Sequence, residues 1–348
     1  MVIAEDIPRE KAIVLEENRY RFPALLVQES FKRFYPLGED SAHLLGFVGK
    51  ISQERLEENK EYGYSPQSLV GYSGIEEYYD SYLSGKSGGF QIEVNSRGKQ
   101  VRLLSIKEPQ KGQDITLNVD SRIQQKSREL LEGKRGAIIV MDTDSGAVLG
   151  ITSSPTFNPN TYFQEAGVLF ANPSAPLLNR AIKGLFPPGS VFKVPVAICA
   201  LESRKITPHT TFECPGFMEL GGIKFGCSHQ HGPQDLIDAI AHSCNVYFYH
   251  LGLTVGADLI YKYARLLGVG QETHIDLPYE EDGFLPSRRQ KMLSGRGRWF
   301  TGHTLNFSIG QGETLTTPLQ LVRMMAIVAR DGLDIQPHLI KAIDTGKR

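Results

Sequence analysis

The 348-residue sequence has no uninterrupted apolar run near the roughly 20 residues that a helix needs to cross a bilayer. Its first residues, MVIAEDIPREKAIVLEENR, lack the basic, apolar and small-residue order of a signal peptide. The formal net charge is only −1, so the charge total gives no support to nucleic-acid binding. Four cysteines are too few and too unevenly spread for a disulfide scaffold. Taken as it stands, the sequence predicts an ordinary soluble globular chain.

The residues that are present divide into two regions. Residues 1–112 are rich in charge and aromatics and are cut by Gly and Pro, which predicts an irregular α+β module. In residues 113–348, two apolar strands flank the turn DTDSG and predict a hairpin. Helical periodicity follows, at 191–204, 234–254, 257–267 and 318–331. We therefore expect an α/β (α+β) domain whose sheet is flanked by a helical cluster.

The stretch GLFPPGSVFK places a serine directly after two prolines and a glycine. Ser190 suits the N-cap of the predicted helix, and Lys193 follows on the same helical face. A lysine whose pKa is lowered by apolar neighbours can take a proton from a serine and so create a nucleophile. Ser-x-x-Lys also arises by chance, so the same residues fit a simple helix cap and a solvated lysine.

A second short motif, Ser243-Cys244-Asn245, lies in AIAHSCNVYFYHLG. Together with Ser-x-x-Lys, a Ser-x-Asn element is typical of penicillin-binding proteins and serine β-lactamases. A second hydroxyl can relay a proton, and a carboxamide can bind a substrate amide and position the lysine. Alone, the motif also fits an ordinary Ser and Asn at a helix start.

Longer blocks favour the functional interpretation. LLNRAIKGLFPPGSVFK, SCNVYFYHLG and GHTLNFSIGQGETLTTPLQLVRMMAIVARDG resemble the penicillin-binding protein 2 family, the class B transpeptidases of bacterial cell elongation. The likeness extends upstream to RFYPLGEDSAHLLGFVG, GYSGIEEYYDSYLSGKSG and GKRGAIIVMDTDSGAVLGITSS, in the family's order. It therefore covers nearly the whole chain.

The resemblance implies a penicillin-binding transpeptidase domain, similar to serine β-lactamases, over residues 113–348, and a non-catalytic pedestal (dimerisation) domain over residues 1–112. It implies D,D-transpeptidase activity on the D-Ala-D-Ala end of peptidoglycan stem peptides, through an acyl-enzyme at Ser190. Lys193 would be the base, Ser243 the proton relay and Asn245 a substrate-positioning residue. β-Lactams would acylate Ser190, a RodA-type glycosyltransferase and the elongation complex would be partners, and no cofactor would be required for catalysis.

Two departures from the family pattern are visible. The third element, Lys-Thr/Ser-Gly on a sheet strand, does not occur, because DTGKR has its lysine after the glycine. Family members also carry a membrane anchor before the pedestal. We therefore expect a fragment that is inactive by itself, from a protein anchored in the bacterial inner membrane with its domains on the periplasmic face.

The spacing Cys214-x12-Cys227-x3-His231-x12-Cys244 offers three thiolates and an imidazole, a set suited to a structural zinc ion. His229 is an alternative ligand to His231. A Cys214–Cys227 disulfide and plain buried thiols are the competing interpretations. Cys199, in an apolar helix, is expected to be core.

Two other functions fit part of the sequence. A serine β-lactamase or carboxypeptidase could use the same Ser and Lys, although no deacylating base is evident. A wall-assembly scaffold without chemistry would bind partners through residues 1–112, but the intact Ser190, Lys193, Ser243 and Asn245 argue against it.

Overall fold

The computed structural model describes residues 3–4, 7–18, 20–22, 25, 27, 32–58, 64–86, 88–94, 100–295 and 297–344. The chain divides into two compact units, Met1–Pro36 and Leu37–Arg348. The first unit contains helix α1 (Arg9–Glu17). Within the described ranges, no helix combines the length and the apolar character that a membrane span requires.

The second unit starts with short elements, as the Gly- and Pro-rich sequence predicts. In chain order they are α2 (Ala42–Leu45), β1 (Val48–Lys50), α3 (Gln53–Glu58), β2 (Leu69–Gly71), α4 (Gly74–Tyr78), α5 (Asp80–Leu83), β3 (Gly89–Val94) and β4 (Gln100–Lys107). Strands β1 and β2 pair antiparallel, and so do β3 and β4. The irregular α+β character expected before residue 113 is confirmed.

The hairpin predicted around DTDSG is also confirmed. The next elements are β5 (Asp114–Leu117), α6 (Ser121–Leu130), β6 (Gly136–Met141), β7 (Val148–Ser154) and α7 (Tyr162–Ala171). Strands β6 and β7 pair antiparallel, and Asp142 Oδ1 accepts a 2.7 Å hydrogen bond from the backbone N–H of Ser145 in the turn. The N–H of Val148 donates to the carbonyl of His338, which places the strand that follows His338 beside this hairpin.

Helices dominate the rest of the unit, as expected. The elements are α8 (Lys193–Glu202), β8 (Phe212–Cys214), β9 (Phe217–Leu220), β10 (Ile223–Gly226), β11 (Gly232–Gln234), α9 (Leu236–Ala241), α10 (Asn245–Val255), α11 (Ala257–Leu266), α12 (Arg288–Leu293), α13 (Thr301–Ser308), α14 (Pro318–Ala329) and β12 (Ile340–Asp344). β12 pairs antiparallel with β5, β8 with β11 and β9 with β10. The single helix predicted over 234–254 is wrong, because the chain breaks into α9 and α10 at residues 242–244.

Two apolar cores support the unit. One lies among the helices, and its largest fully buried side chains include Phe192, Tyr247, Phe248, Leu251 and Phe307. The other packs β7 and the start of α14 against residues from the first hundred positions, as shown by the cluster of Leu44, Ile75, Val148, Ile151, Leu319 and Leu339. The boundary at 112/113 stays a prediction; the compact unit extends across it.

Candidate active site

Ser190 lies in a one-turn 3-10 helix, Gly189–Phe192, that runs directly into α8. Its backbone is braced by a second turn, because the N–H of Gly189 donates to the carbonyl of Gly310 at 3.0 Å. Gly310 has φ +68°, and a Cβ there would lie 2.4 Å from the carbonyl oxygen of Gly189. Only glycine permits this approach. Ser190 is thus held by backbone contacts while its side chain remains exposed.

The prediction that Ser190 caps the helix is wrong. The residue that precedes α8 is Phe192, and no side-chain cap is present at either the 3-10 turn or α8. The chain enters α8 through the 3-10 turn, which displaces Ser190 from the N-cap position. Its hydroxyl is therefore not used by the helix and is left for contacts across the cleft.

Lys193 is the first residue of α8, and its side chain is 3% exposed. Its Nζ donates hydrogen bonds to the Ser243 carbonyl at 2.7 Å, to Ser243 Oγ at 3.0 Å and to Asn245 Oδ1 at 2.8 Å. All three donors of an ammonium group are used. The alternative in which Lys193 is a solvated surface lysine is wrong.

Ser190 and Lys193 are connected through Ser243. The Ser243 hydroxyl donates to Ser190 Oγ at 2.8 Å while it accepts from Lys193. Among the described residues, no direct hydrogen bond joins Ser190 to Lys193, so the predicted contact on one helical face is replaced by a bridge. The bridge forms a continuous path for a proton from Ser190 to the amine.

Burial lowers the pKa of Lys193 to about 8 from its usual 10.5. The cause is desolvation of the ammonium, and the nearby Cys227 and Cys244 act in the opposite direction. The ring centroid of Phe248 lies 5.5 Å from Nζ and forms part of these apolar surroundings. A substantial fraction of this amine is therefore neutral near physiological pH, which is what a base requires.

The Ser243–Asn245 turn joins α9 to α10 in a strained conformation. Ser243 has φ +51°, a region that residues other than glycine seldom adopt, and its N–H donates to the carbonyl of Ile240. Cys244 is the N-cap of α10, where its sulfur accepts from the N–H of Tyr247. Asn245 then starts the helix, and its Nδ2 donates to the Gly226 carbonyl at 3.2 Å. This strained conformation places the Ser243 hydroxyl and the Asn245 carboxamide side by side, so that both accept hydrogen bonds from Lys193.

The four residues predicted to form the site are therefore brought together. The exposed hydroxyl, the relay hydroxyl and the buried amine form an arrangement that can activate Ser190 for attack on a carbonyl. The structure adds Gly310 to the site. The sequence signal for it is the pair of glycines, Gly310 and Gly312, in SIGQGE.

The second predicted cluster is also assembled. The ligand atoms of Cys214, Cys227, His231 and Cys244 all lie within 4.8 Å of one another. His231 Nδ1 is 3.6 Å from the sulfurs of both Cys214 and Cys227, and the sulfurs of Cys227 and Cys244 are 3.9 Å apart. All four cysteines of the chain are free thiols, so the Cys214–Cys227 disulfide is absent. His229 contributes its backbone carbonyl, which accepts from Cys214, and is not in the ligand group.

The three separations of 3.6, 3.6 and 3.9 Å are close to those of a tetrahedral site. Zinc–sulfur bonds of about 2.3 Å and zinc–nitrogen bonds of about 2.0–2.1 Å at tetrahedral angles imply separations of about 3.8 Å between sulfurs and about 3.6 Å between sulfur and nitrogen. The cluster also contacts the Ser243–Asn245 turn, since the N–H of Asn245 donates to Cys227 Sγ at 3.1 Å. Cys199, by contrast, is fully buried in the helical core as expected.

Comparison with known families agrees with this geometry. The penicillin binding protein transpeptidase domain matches residues 136–348, and the penicillin-binding protein dimerisation domain matches residues 1–117. The chain therefore belongs to the penicillin-binding protein transpeptidase family.

Within this family the chain is similar to penicillin-binding protein 2, whose curated members are named peptidoglycan D,D-transpeptidase MrdA. The protein from Acinetobacter baumannii is 34% identical over 344 residues, covering 95% of this chain and 51% of that protein. The protein from Escherichia coli K12 is 34% identical over 340 residues, covering 93% of this chain and 53% of that protein. The chain thus spans about half the length of the curated relatives it matches.

Solved structures show the same relationship. The complex between penicillin-binding protein 2 and MreC from Helicobacter pylori is 33% identical with a TM-score of 0.88, covering 99% of this chain and 66% of that chain. Penicillin-binding protein 2 of Pseudomonas aeruginosa in complex with WCK 5153 is 34% identical with a TM-score of 0.78, covering 92% of this chain and 69% of that one. The recognised family and fold class are confirmed.

Proposed function

We propose that this chain carries the acylating serine of a peptidoglycan D,D-transpeptidase that crosslinks stem peptides during cell elongation. The observation that carries the proposal is the hydrogen-bonded path from Lys193 through Ser243 to Ser190. The names of the relatives support the same activity, since they are D,D-transpeptidases.

In the proposed reaction, Ser190 Oγ attacks the carbonyl carbon of the penultimate D-Ala. Its proton passes to Ser243 while Ser243 passes its own to the neutral amine of Lys193. The peptide bond to the terminal D-Ala then breaks, and the departing amine receives a proton from Lys193 along the same path. An amine of a second stem peptide finally attacks the acyl-enzyme, forms the crosslink and releases Ser190.

Asn245 has two roles in this proposal. Its Oδ1 accepts from Lys193, which fixes the position of the amine. Its Nδ2 carries two N–H groups, of which one donates to Gly226. The second N–H is the group we assign to the substrate amide.

The wider setting of the enzyme is part of the same proposal. Residues 113–348 would form the transpeptidase domain, and residues 1–112 the pedestal that contacts a RodA-type glycosyltransferase and the elongation complex. The solved complex of a relative with MreC supports a role in such an assembly. We place the intact protein at the inner membrane, with both domains on the periplasmic face.

We further propose that Cys214, Cys227, His231 and Cys244 hold a structural zinc ion. Their separations fit tetrahedral coordination, and hydrogen bonds to Cys227 favour its thiolate form. Burial acts to raise the pKa of Cys227, but the backbone N–H groups of Val246, Asn245 and His229 outweigh it and lower the pKa to about 7. Such an ion would connect the end of β8 and the chain between β10 and β11 to the turn before α10. Metal analysis should find about one zinc per chain; a Cys214–Cys227 disulfide without zinc would overturn this assignment.

Labelling with a fluorescent penicillin tests the central proposal on the full-length protein. We expect stable labelling that is lost in Ser190→Ala and kept in Ser203→Ala, which removes a serine at the other end of α8. Rapid turnover of the label would indicate a β-lactamase instead. No labelling of the wild type would favour the scaffold function and refute the enzyme.

A further inference from the structure

A strongly basic segment lies between the catalytic turn and the Gly310 turn. Residues 283–300 contain five Arg and Lys, with no Asp or Glu, in a chain whose formal net charge is −1. Positive charge is therefore concentrated locally in this segment, although the net charge of the whole chain is close to zero. Neither the fold nor the proposed reaction has so far required it.

Two of these cations are available to a ligand. Arg289 and Arg298 are exposed, and within the described ranges no acidic group lies at ion-pair distance from either. Arg288 pairs loosely with Asp258 at 3.8 Å. Arg296 lies outside the described residues.

Lys291 has a different position. It is 8% exposed, and its Nζ donates to Glu313 at 2.5 Å. Glu313 directly follows the turn whose Gly310 braces Ser190. This ion pair, in which only Lys291 is buried, therefore attaches α12 to the chain that follows the Gly310 turn, while Arg289 and Arg298 stay exposed.

The other end of the segment is attached to the site as well. The ring of Trp299 lies 6.0 Å from that of Phe307, which in turn lies 5.3 Å from Phe192 beside the nucleophile. Next in the chain, a Cβ on Gly302 would lie 3.3 Å from the ring of Phe225, one residue before the Gly226 carbonyl that accepts from Asn245. The basic segment thus borders the cleft and packs against both of its walls.

We propose that Arg289 and Arg298 form a docking surface for the carboxylates of the acceptor stem peptide, an inference that rests on the proposed function. The donor carbonyl must lie at Ser190, and the acceptor amine must reach the same carbon atom, so the acceptor peptide must cross the border of this cleft. Stem peptides carry free carboxylates, and the guanidinium group binds a carboxylate through two parallel hydrogen bonds.

The neighbouring side chains fit a peptide better than a free anion. Met292, Leu293 and Phe300 are 70%, 71% and 65% exposed and alternate with the arginines along the segment. Adjacent exposed apolar side chains that are bordered by polar residues, such as Met292 and Leu293 here, mark interaction sites. The combination would select a peptide with carboxylates at its edge.

The test is binding of a synthetic stem peptide to the full-length protein in the Ser190→Ala background, which removes turnover. Two peptides share the same acceptor amine, one with free carboxylates and one with these groups amidated. The Arg289→Gln/Arg298→Gln variant should bind the carboxylate peptide about 3- to 10-fold more weakly, as two exposed charge pairs would give. The amidated peptide should bind the parent and the variant equally.

Two further variants make the result interpretable. Arg289→Lys/Arg298→Lys should recover part of the affinity because it restores the charge without the fork geometry. Lys126→Gln/Lys205→Gln removes two exposed cations elsewhere and should change neither affinity. Thermal unfolding of each variant reports whether it remains folded.

Equal affinity of the parent and the Arg289→Gln/Arg298→Gln variant for the carboxylate peptide would overturn the inference, and so would an equal loss with both peptides. Penicillin labelling of the protein with Ser190 intact tests the proposed function separately. A protein that is labelled but shows no carboxylate preference retains the proposed function and loses only the docking surface.

Discussion

The pKa of Lys193 determines how the rate of acylation should depend on pH. An ordinary lysine with a pKa near 10.5 would be only about 0.03% neutral at pH 7, whereas an amine with a pKa of about 8 is roughly 9% neutral. Burial therefore increases the concentration of the base about 300-fold. Because the lowered pKa favours the neutral form, the rate should increase as the pH rises through about 8 and level off above it.

The assay is the second-order rate of labelling by a fluorescent penicillin, measured from pH 6 to 9.5 on the full-length protein. We expect a nearly tenfold increase per pH unit below pH 7.5 and a plateau above pH 8.5. Lys193→Met should lower the plateau rate by about 10²- to 10⁴-fold, the usual contribution of a positioned base. Lys205→Met, a change of an exposed lysine just beyond α8, is the matched control and should leave the profile unchanged.

A flat profile would refute the assignment of Lys193 as the base, and so would a Lys193→Met variant that keeps more than a tenth of the rate. The stability of that variant must be measured in parallel. Removing the amine leaves the part-buried Ser243 carbonyl and Asn245 Oδ1 without their donor, at a cost of up to about 1–3 kcal/mol for each group. A variant that is folded at the assay temperature is therefore required.

Three more changes probe the site. Ser243→Ala interrupts the path between Lys193 and Ser190 and should lower the labelling rate by about 10²- to 10⁴-fold. Gly310→Ala places a Cβ 2.4 Å from the carbonyl oxygen of Gly189 and should shift the turn that carries Ser190. The labelling rate should then fall severalfold or more, by the same factor at every pH. Removal of metal by a chelator should lower the unfolding temperature, and added zinc should restore it. Free zinc at 100 times its dissociation constant should raise the free energy of unfolding by about 2.7 kcal/mol.

Each of these has a control and a contrary outcome. Ser203→Ala should label normally, and normal labelling of Ser243→Ala would exclude the relay. Gly133→Ala also changes a glycine of positive φ, but a Cβ there meets nothing within 4 Å, so it isolates the effect of the clash from that of backbone strain. An unfolding temperature that does not respond to the chelator would argue against a structural metal.

Short motifs in the sequence were enough to group residues that the structure brings together. Ser190, Lys193, Ser243 and Asn245 are joined by hydrogen bonds, and the ligand atoms of three cysteines and a histidine lie close to one another, while the roles of both groups stay predictions. The β6–β7 hairpin followed from a turn signal between two apolar runs. In each case local sequence was sufficient, since neighbouring residues determine the pattern.

The errors came from tertiary contacts. A helix cap at Ser190 was a reasonable local expectation, but packing of Gly310 against Gly189 and entry through a 3-10 turn place the hydroxyl elsewhere. The apolar run over 234–254 predicted one helix, whereas Ser243 adopts φ +51° in order to reach Lys193. Helical propensity is a property of the local sequence, so it cannot predict a contact with a residue that is distant in the sequence. The ion pair between Lys291 and Glu313 could not be predicted either, because the two residues are 22 positions apart in the sequence.

Under the proposed function, each residue of the turn from Ser243 to Asn245 has a separate task. The first would relay a proton from a strained backbone, the second lies with its sulfur in the cysteine–histidine cluster, and the third holds the amine by a hydrogen bond. A substitution at any of them that weakened β-lactam binding would then also disturb the proposed catalysis or the neighbouring sulfur cluster. Resistance substitutions are therefore expected to accumulate outside this turn, where the cleft can change shape without such a double penalty.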